Sequence, residues 1–126
     1  MPAFCVSKVI RALNSRRQSL NGSRVLVLGV AYKKNVNDTR ESPALRIIDL
    51  LAAEGGIVSY HDAYVAALAT RGLASVPLTP ATVAAHDVVV VVTDHDGVDW
   101  DMVAERAPLV VDLRHVVPDA PNVWRL

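Results

Sequence analysis

The stretch RVLVLGVAYKKNVNDTRESPALRIIDLL, Arg24–Leu51, decides how this chain folds. It opens with aliphatic, largely β-branched residues, the composition of a strand covered on both faces, and predicts a strand over Arg24–Tyr32. A loop carrying Lys33, Lys34 and Arg40 follows and ends at Ser42-Pro43. Serine suits an N-cap because its hydroxyl accepts a helix amide, and proline suits the first helical position because its φ is already fixed. Leu45, Ile48 and Leu51 recur at helical spacing, so a helix runs from about Pro43 to Glu54 and stops at Gly55-Gly56. The result is a βα unit in which three cations and the helix amides face one space. An anion is the expected guest.

The same rhythm continues along the chain. Ile57–His61 reads as a second strand, and Val88–Val92, five consecutive valines, as a central one with both faces covered. Residues 63–86 are less regular, with a short helix, a minor strand near Ser75–Leu78 and a helix at Pro80–Ala85. A helix Val98–Arg106, a strand Leu109–Asp112 and a last edge strand Val123–Arg125 complete the pattern. This predicts the α/β class, an open, doubly wound, mostly parallel sheet of about five to six strands with right-handed crossovers. Ahead of it, residues 3–17 form an amphipathic helix in which Val6, Val9, Ile10 and Leu13 share one stripe. That stripe needs either the sheet or another chain to cover it. The expected division is a helical segment 1–20 and an α/β domain 21–126.

Composition narrows the function. Apolar residues make up 52% of the 126 and aromatics only 5%, so one aliphatic core is expected. The 13 basic and 13 acidic residues cancel, which argues against a general nucleic-acid binder. Cys5 stands alone, so no internal disulfide forms and a reducing compartment fits. Lys8 and Arg11 interrupt the first apolar stretch, and the longest apolar runs are too short to span a bilayer. A cytoplasmic location is expected.

In a doubly wound sheet ligands bind beyond the carboxyl ends of the strands. Four segments gather there: the loop 32–41, His61-Asp62, Thr93-Asp94-His95, and Asp112–His115. The first is the strongest candidate, because Lys33 follows the strand end and Arg40 offers a planar fork to phosphate oxygens. The competing reading has Arg40 pairing with Asp38 or Glu41 and the lysines merely solvated. An ordinary dinucleotide site is disfavoured, since Gly29 is the sole glycine between strand and helix, although Asp62 stands where a ribose-binding acid would. His95 as a general base is less favoured than His95 as a polar loop residue, with Asp94 or Asp96 capping the helix near Val98. Asp112 and Arg114 are expected to brace the rim as an ion pair. His61, His86 and His115 lack metal-site spacing and Cys5 lies apart, so no metal and no catalytic residue is expected.

GVAYKKNVNDTRESPAL, VSYHDAYV, VVVVTDH and VDLR together resemble the C-terminal, Rossmann-like UDP-binding domain of the UDP-glucose, GDP-mannose and UDP-N-acetylhexosamine 6-dehydrogenases. MPAFCVSKVIRALN is similar to the end of the central helical, dimer-forming region of that family. The resemblance implies a nucleotide-sugar substrate and NAD as cofactor. It implies two-step oxidation of a CH-OH group to a carboxylate, for polysaccharide precursors, through a cysteine nucleophile and an N-terminal NAD-binding domain. By the same resemblance Tyr32 and Lys33 contact the substrate and Arg40 reaches toward NAD. The loop is more similar to the UDP-N-acetylhexosamine or UDP-glucosamine enzymes than to UDP-glucose dehydrogenases. Asn35 and Asn37 stand where acids are common, Ala63 for a frequent proline and His115 for a frequent asparagine. Cys5 lacks the glycine-rich surroundings of the family nucleophile and reads as a packing residue. Three readings follow: a UDP-sugar-binding domain that does not turn over alone, a partner subunit docking through the Val6–Leu13 stripe on a separately encoded dehydrogenase half (or a homodimer), and a gene fragment without function.

Overall fold

The computed structural model describes residues 2–126. Helix α1, Pro2–Ser15, leads into strand β1, Arg24–Leu28, and then α2, Pro43–Ala53, and β2, Ile57–His61. A small antiparallel hairpin of β3, Ala67–Leu68, and β4, Leu73–Ala74, turns through one 3₁₀ turn. Then come α3, Pro80–Ala84, β5, Val88–Val91, α4, Trp100–Arg106, β6, Val110–Asp112, and β7, Val123–Arg125. The main sheet has the order β2-β1-β5-β6-β7 and every pairing in it is parallel. The order reverses between β1 and β5, so the switch point lies where Leu28 is in register with Val91.

Alternation explains why β1 and β5 are central. Val25, Val27, Val88 and Val90 share one core with α1 and α2, whereas Leu26, Leu28, Val89 and Val91 share the other with α3 and α4. All eight are buried, so each strand needs apolar residues at consecutive positions, and a run of valines meets that need. Ser42 caps α2 as expected, its hydroxyl accepting from Ala44 N at 3.2 Å, with Pro43 in the first turn. No helix among the described residues is long and apolar enough to cross a membrane.

Several expectations are corrected. The stripe of α1 is not an exposed docking face: Val6, Val9 and Leu13 are buried in the core of this same domain, and only Ile10 of the four is exposed. Strand β1 ends at Leu28 and not at Tyr32, because Gly29 turns the chain at φ +86° and the next two amides bond a side chain instead of a strand. The minor strand falls at Leu73–Ala74, with Ser75 adding a single parallel bridge to Tyr60. Helix α4 starts at Trp100 under the cap of Asp99, whose carboxylate accepts from Met102 N, so neither Asp94 nor Asp96 is its cap.

Candidate functional site

The carboxyl ends of β2, β1 and β5 lie side by side, and three short segments leave them together. Asp62 follows β2 with its side chain wholly buried. One of its oxygens accepts from Val30 N at 2.8 Å, Ala31 N at 3.2 Å and the His95 ring at 2.8 Å. The other accepts from Tyr64 N at 2.8 Å. A buried carboxylate is costly unless fully hydrogen-bonded, and here it is. The carbonyl of Ala31 is held as firmly, by the hydroxyls of Thr93 at 2.8 Å and Ser42 at 3.3 Å. Ala31 is thereby tied at both its N–H and its C=O, which fixes where Tyr32 and Lys33 begin.

The middle of the loop is held from β5. Asn35, at φ +62°, donates its backbone N–H to His95 Nδ1 at 2.7 Å. Its side-chain amide donates to Asp96 at 2.7 Å and its carbonyl oxygen accepts from Asp96 N at 3.0 Å. Tyr64 packs its ring against His95, centroids 4.7 Å apart. Lys34 approaches Asp96 at 3.4 Å. The Asn35 side chain, with help from the Lys34 charge, holds the Asp96 carboxyl below the usual carboxylate range.

The far end of the loop is looser. Arg40 forms a two-pronged pair with Asp38, at 3.1 and 3.0 Å, and Arg40 N donates to the same carboxylate at 2.9 Å. These bonds lower the Asp38 pKa and raise that of Arg40. The Arg40 side chain is 88% exposed, so solvent screens the pair and the guanidinium is free to exchange partners. Tyr32 and Arg40 line one shallow depression with Asp38 and Glu41. Lys33 is exposed and lies outside that depression. The three cations therefore do not converge on the α2 amides: Lys34 goes to Asp96, Arg40 to Asp38, and Ser42 occupies the first helix amide.

A second hollow of about 300 Å³ sits at the switch point, lined among others by Gly29, His61, Thr93, His95 and Trp100. Its glycine is not a phosphate cradle, since a Cβ on Gly29 would lie 2.5 Å from Thr93. Thr93 packs directly against the Gly29 backbone.

Two residues weighed in the sequence play different parts from those expected. Asp62 does not face a ribose; it is consumed by loop amides and His95. His95 is 4% exposed and is neither a free base nor an ordinary loop residue. The Asp112–Arg114 side-chain pair does not form either. Asp112, fully buried, accepts from the amides of Arg114, Val116 and Val117 at 2.8–3.0 Å, while Arg114 Nε donates to the Val92 carbonyl. The usable signal was positional: polar residues at or just past the carboxyl ends of apolar strands.

The comparisons agree with this architecture. A UDP-N-acetyl-D-mannosamine dehydrogenase of Pyrococcus horikoshii is 29% identical over 96% of this chain, which spans 28% of that protein's length. The solved structure of a UDP-D-ManNAc dehydrogenase from Pyrococcus horikoshii superposes with a TM-score of 0.81 at 25% identity, covering 98% of this chain and 30% of that one. An NDP-N-acetyl-D-galactosaminuronic acid dehydrogenase from Methanosarcina mazei gives 0.78 at 27% identity, covering 93% and 26%. The chain thus corresponds to under a third of the length of these relatives. The sequence profile described as "UDP-glucose/GDP-mannose dehydrogenase family, UDP binding domain" matches residues 26–119, and the chain belongs to that family.

Proposed function

We propose that this domain holds the UDP-sugar of an NAD-dependent nucleotide-sugar 6-dehydrogenase acting in polysaccharide precursor synthesis, with Tyr32 and Lys33 toward the substrate and Arg40 toward the cofactor. The observation that supports this most directly is the double tie on Ala31, which presents the next two side chains at the end of β1 without help from a ligand. A loop amide network set in advance lowers the ordering cost of gripping a diphosphate. Arg40 sits at the looser end, in an exposed pair that a phosphate oxygen can displace.

The oxidation itself has no nucleophile in these residues. Cys5 is buried and its thiol is pushed up to about 11 by desolvation, the opposite of an activated thiolate. Nor do the residues fit an NAD cradle, because Gly29 is the sole glycine between β1 and α2 and it is packed against Thr93. Arg40 is the one side chain assigned to the cofactor. In this reading residues 1–20 are the end of a central helical region and chemistry resides in other parts of the enzyme, in the cytoplasm. A partner half docking through the α1 stripe has lost its motive, since the domain covers most of that stripe itself.

Calorimetric titration of the chain with UDP-glucose tests the proposal. Saturable binding near 1 mM is expected, in the order-of-magnitude sense of half a cleft, and Lys33→Ala should weaken it about tenfold. No saturation at several times that concentration, or equal affinity in Lys33→Ala, overturns it.

A further inference from the structure

Asp62 and His95 are both buried, yet together they touch three separate points of the first loop. Asp62 takes the amides of Val30 and Ala31, and His95 takes the amide of Asn35. The hydrogen-bond directions fix the imidazole. Asn35 N–H can only donate, so Nδ1 carries no proton, and the ring proton sits on Nε2, facing the Asp62 carboxylate. The ring is neutral in this arrangement. The loop is spanned from both flanking strands, by β2 through Asp62 and by β5 through His95.

We propose that Asp62 and His95 are the positioning residues of the UDP-sugar site, a buried clamp that works only while His95 is neutral. This rests on the functional reading above and adds a regulation to it. A proton added to His95 lands on Nδ1, where it opposes the Asn35 N–H, donor against donor. The groups facing the ring are Asp62 from β2, Asp96 from its own loop with Lys34 paired to it, and the Tyr64 ring. The added proton would tighten His95 against Asp62 and break the Asn35 N–H bond. Asn35 then keeps only its bonds to the exposed Asp96, and the loop between Ala31 and Asp38 is held less firmly around Lys33.

Nuclear magnetic resonance of the ¹⁵N-labelled chain tests this, with UDP-glucose as probe because its doubly esterified diphosphate keeps two negative charges unchanged across the range used, about pH 7.5 to about pH 5.5. The ring nitrogens of His95 are expected to report Nε2–H at neutral pH. As the pH is lowered across that range and His95 gains its proton, the Asn35 amide should move and affinity should fall about tenfold. His95→Asn keeps an acceptor near the Nδ1 position but cannot titrate, so its affinity should stay flat across that range. His95→Ala should bind about tenfold more weakly at every pH while still melting cooperatively, and Asp62→Asn should shift the Val30 and Ala31 amides. A ring proton on Nδ1, or a His95→Ala protein with unchanged affinity and unchanged Asn35 amide, overturns the clamp. If the unaltered chain binds no UDP-glucose at all, the functional reading fails, and the ring tautomer with the Asn35 amide still decides whether the clamp exists.

Discussion

Replacing Gly29 by alanine tests the switch point on which everything above is built. Gly29 has φ +86°, a conformation that costs an L-residue about 1–2 kcal/mol. The new Cβ would also lie 2.5 Å from both Cβ and O of Thr93 and 2.8 Å from its Cα. Two of those atoms are backbone, so no rotamer relieves the clash, and relief requires β1 and β5 to separate. Overpacking of this kind costs about 1–3 kcal/mol, and the rigid partner puts Gly29→Ala in the upper half of the combined range, about 3–5 kcal/mol. Gly22 supplies the control. It has φ +85° but nothing within 4 Å of an added Cβ, so Gly22→Ala carries the backbone cost alone, about 1–2 kcal/mol. For 126 residues the unfolding entropy is about 0.26 kcal/mol/K, which converts the Gly29 loss to a Tm drop of about 12–19 °C and the Gly22 loss to about 4–8 °C. Urea unfolding followed by fluorescence of Trp100 and Trp124 measures both as midpoint shifts at constant slope. Equal losses in the two variants, within about 1 kcal/mol, would refute the claim that Thr93 occupies this space.

Other consequences are cheaper to check. With its pKa pushed up to about 11 from 9.0, Cys5 should hold about 100-fold less thiolate than a free thiol at pH 8, so alkylation should be slow when folded and rapid in urea. Because that folded value is raised, its stability contribution is complete below pH 9.0 and is lost as pH climbs through about 11; a Cys5→Ala protein should not show that alkaline decline. Asp49, held below the usual carboxylate range by Arg71 through bonds of 2.9 and 2.8 Å, ties α2 to the 3₁₀ turn. The pair is partly exposed, so Asp49→Asn should cost only about 0.5 kcal/mol, present above the unfolded carboxylate pKa and lost as acid protonates the folded carboxylate. Amide hydrogen exchange should be about 10–100-fold slower at Val30, Ala31 and Asn35 than at Val36, Asn37 and Thr39, whose amides have no acceptor among the described residues.

What the sequence reveals and what it hides divide along a physical line. Strand β2 has the expected bounds and β5 differs by one residue, because consecutive apolar residues report burial on both faces wherever they occur. The α2 cap is equally legible, since Ser42 and Pro43 act within one helical turn. The end of β1 is not. Its cause is a contact between Gly29 and Thr93, more than sixty residues apart, and an acceptor at Asp62, which follows a different strand. Both become visible only when the order β2-β1-β5 is known. The cap of α4 fails for a related reason: Asp96 has the composition of an N-cap but is already engaged by Asn35 and Lys34, leaving Asp99 to do it. The cations of the first loop look alike as letters, and only the fold separates paired Lys34 and Arg40 from Lys33.

Asp62 and Asp112 show that the same solution appears twice. Asp112 ends β6 and Asp62 directly follows β2, each has a fully buried side chain, and each accepts three backbone amides, Asp112 from one loop and Asp62 from two. A carboxylate is suited to this because one charged group satisfies several donors that a tight loop cannot pair with itself, and each such bond is stronger than a neutral one. The device has a consequence for binding. The root of the first loop is set by negative charge from below, which leaves Lys33 above it free of structural duty. At the first loop this separates a stiff root, residues 30–35, from an outer limb held by the exposed Asp38–Arg40 pair. In the proposed reading, a phosphate group would need to displace only Asp38 to recruit Arg40, while Lys33 stands on a root already in place. The opposite arrangement, a loop ordered by its own cations, would make the phosphate a competitor of the fold.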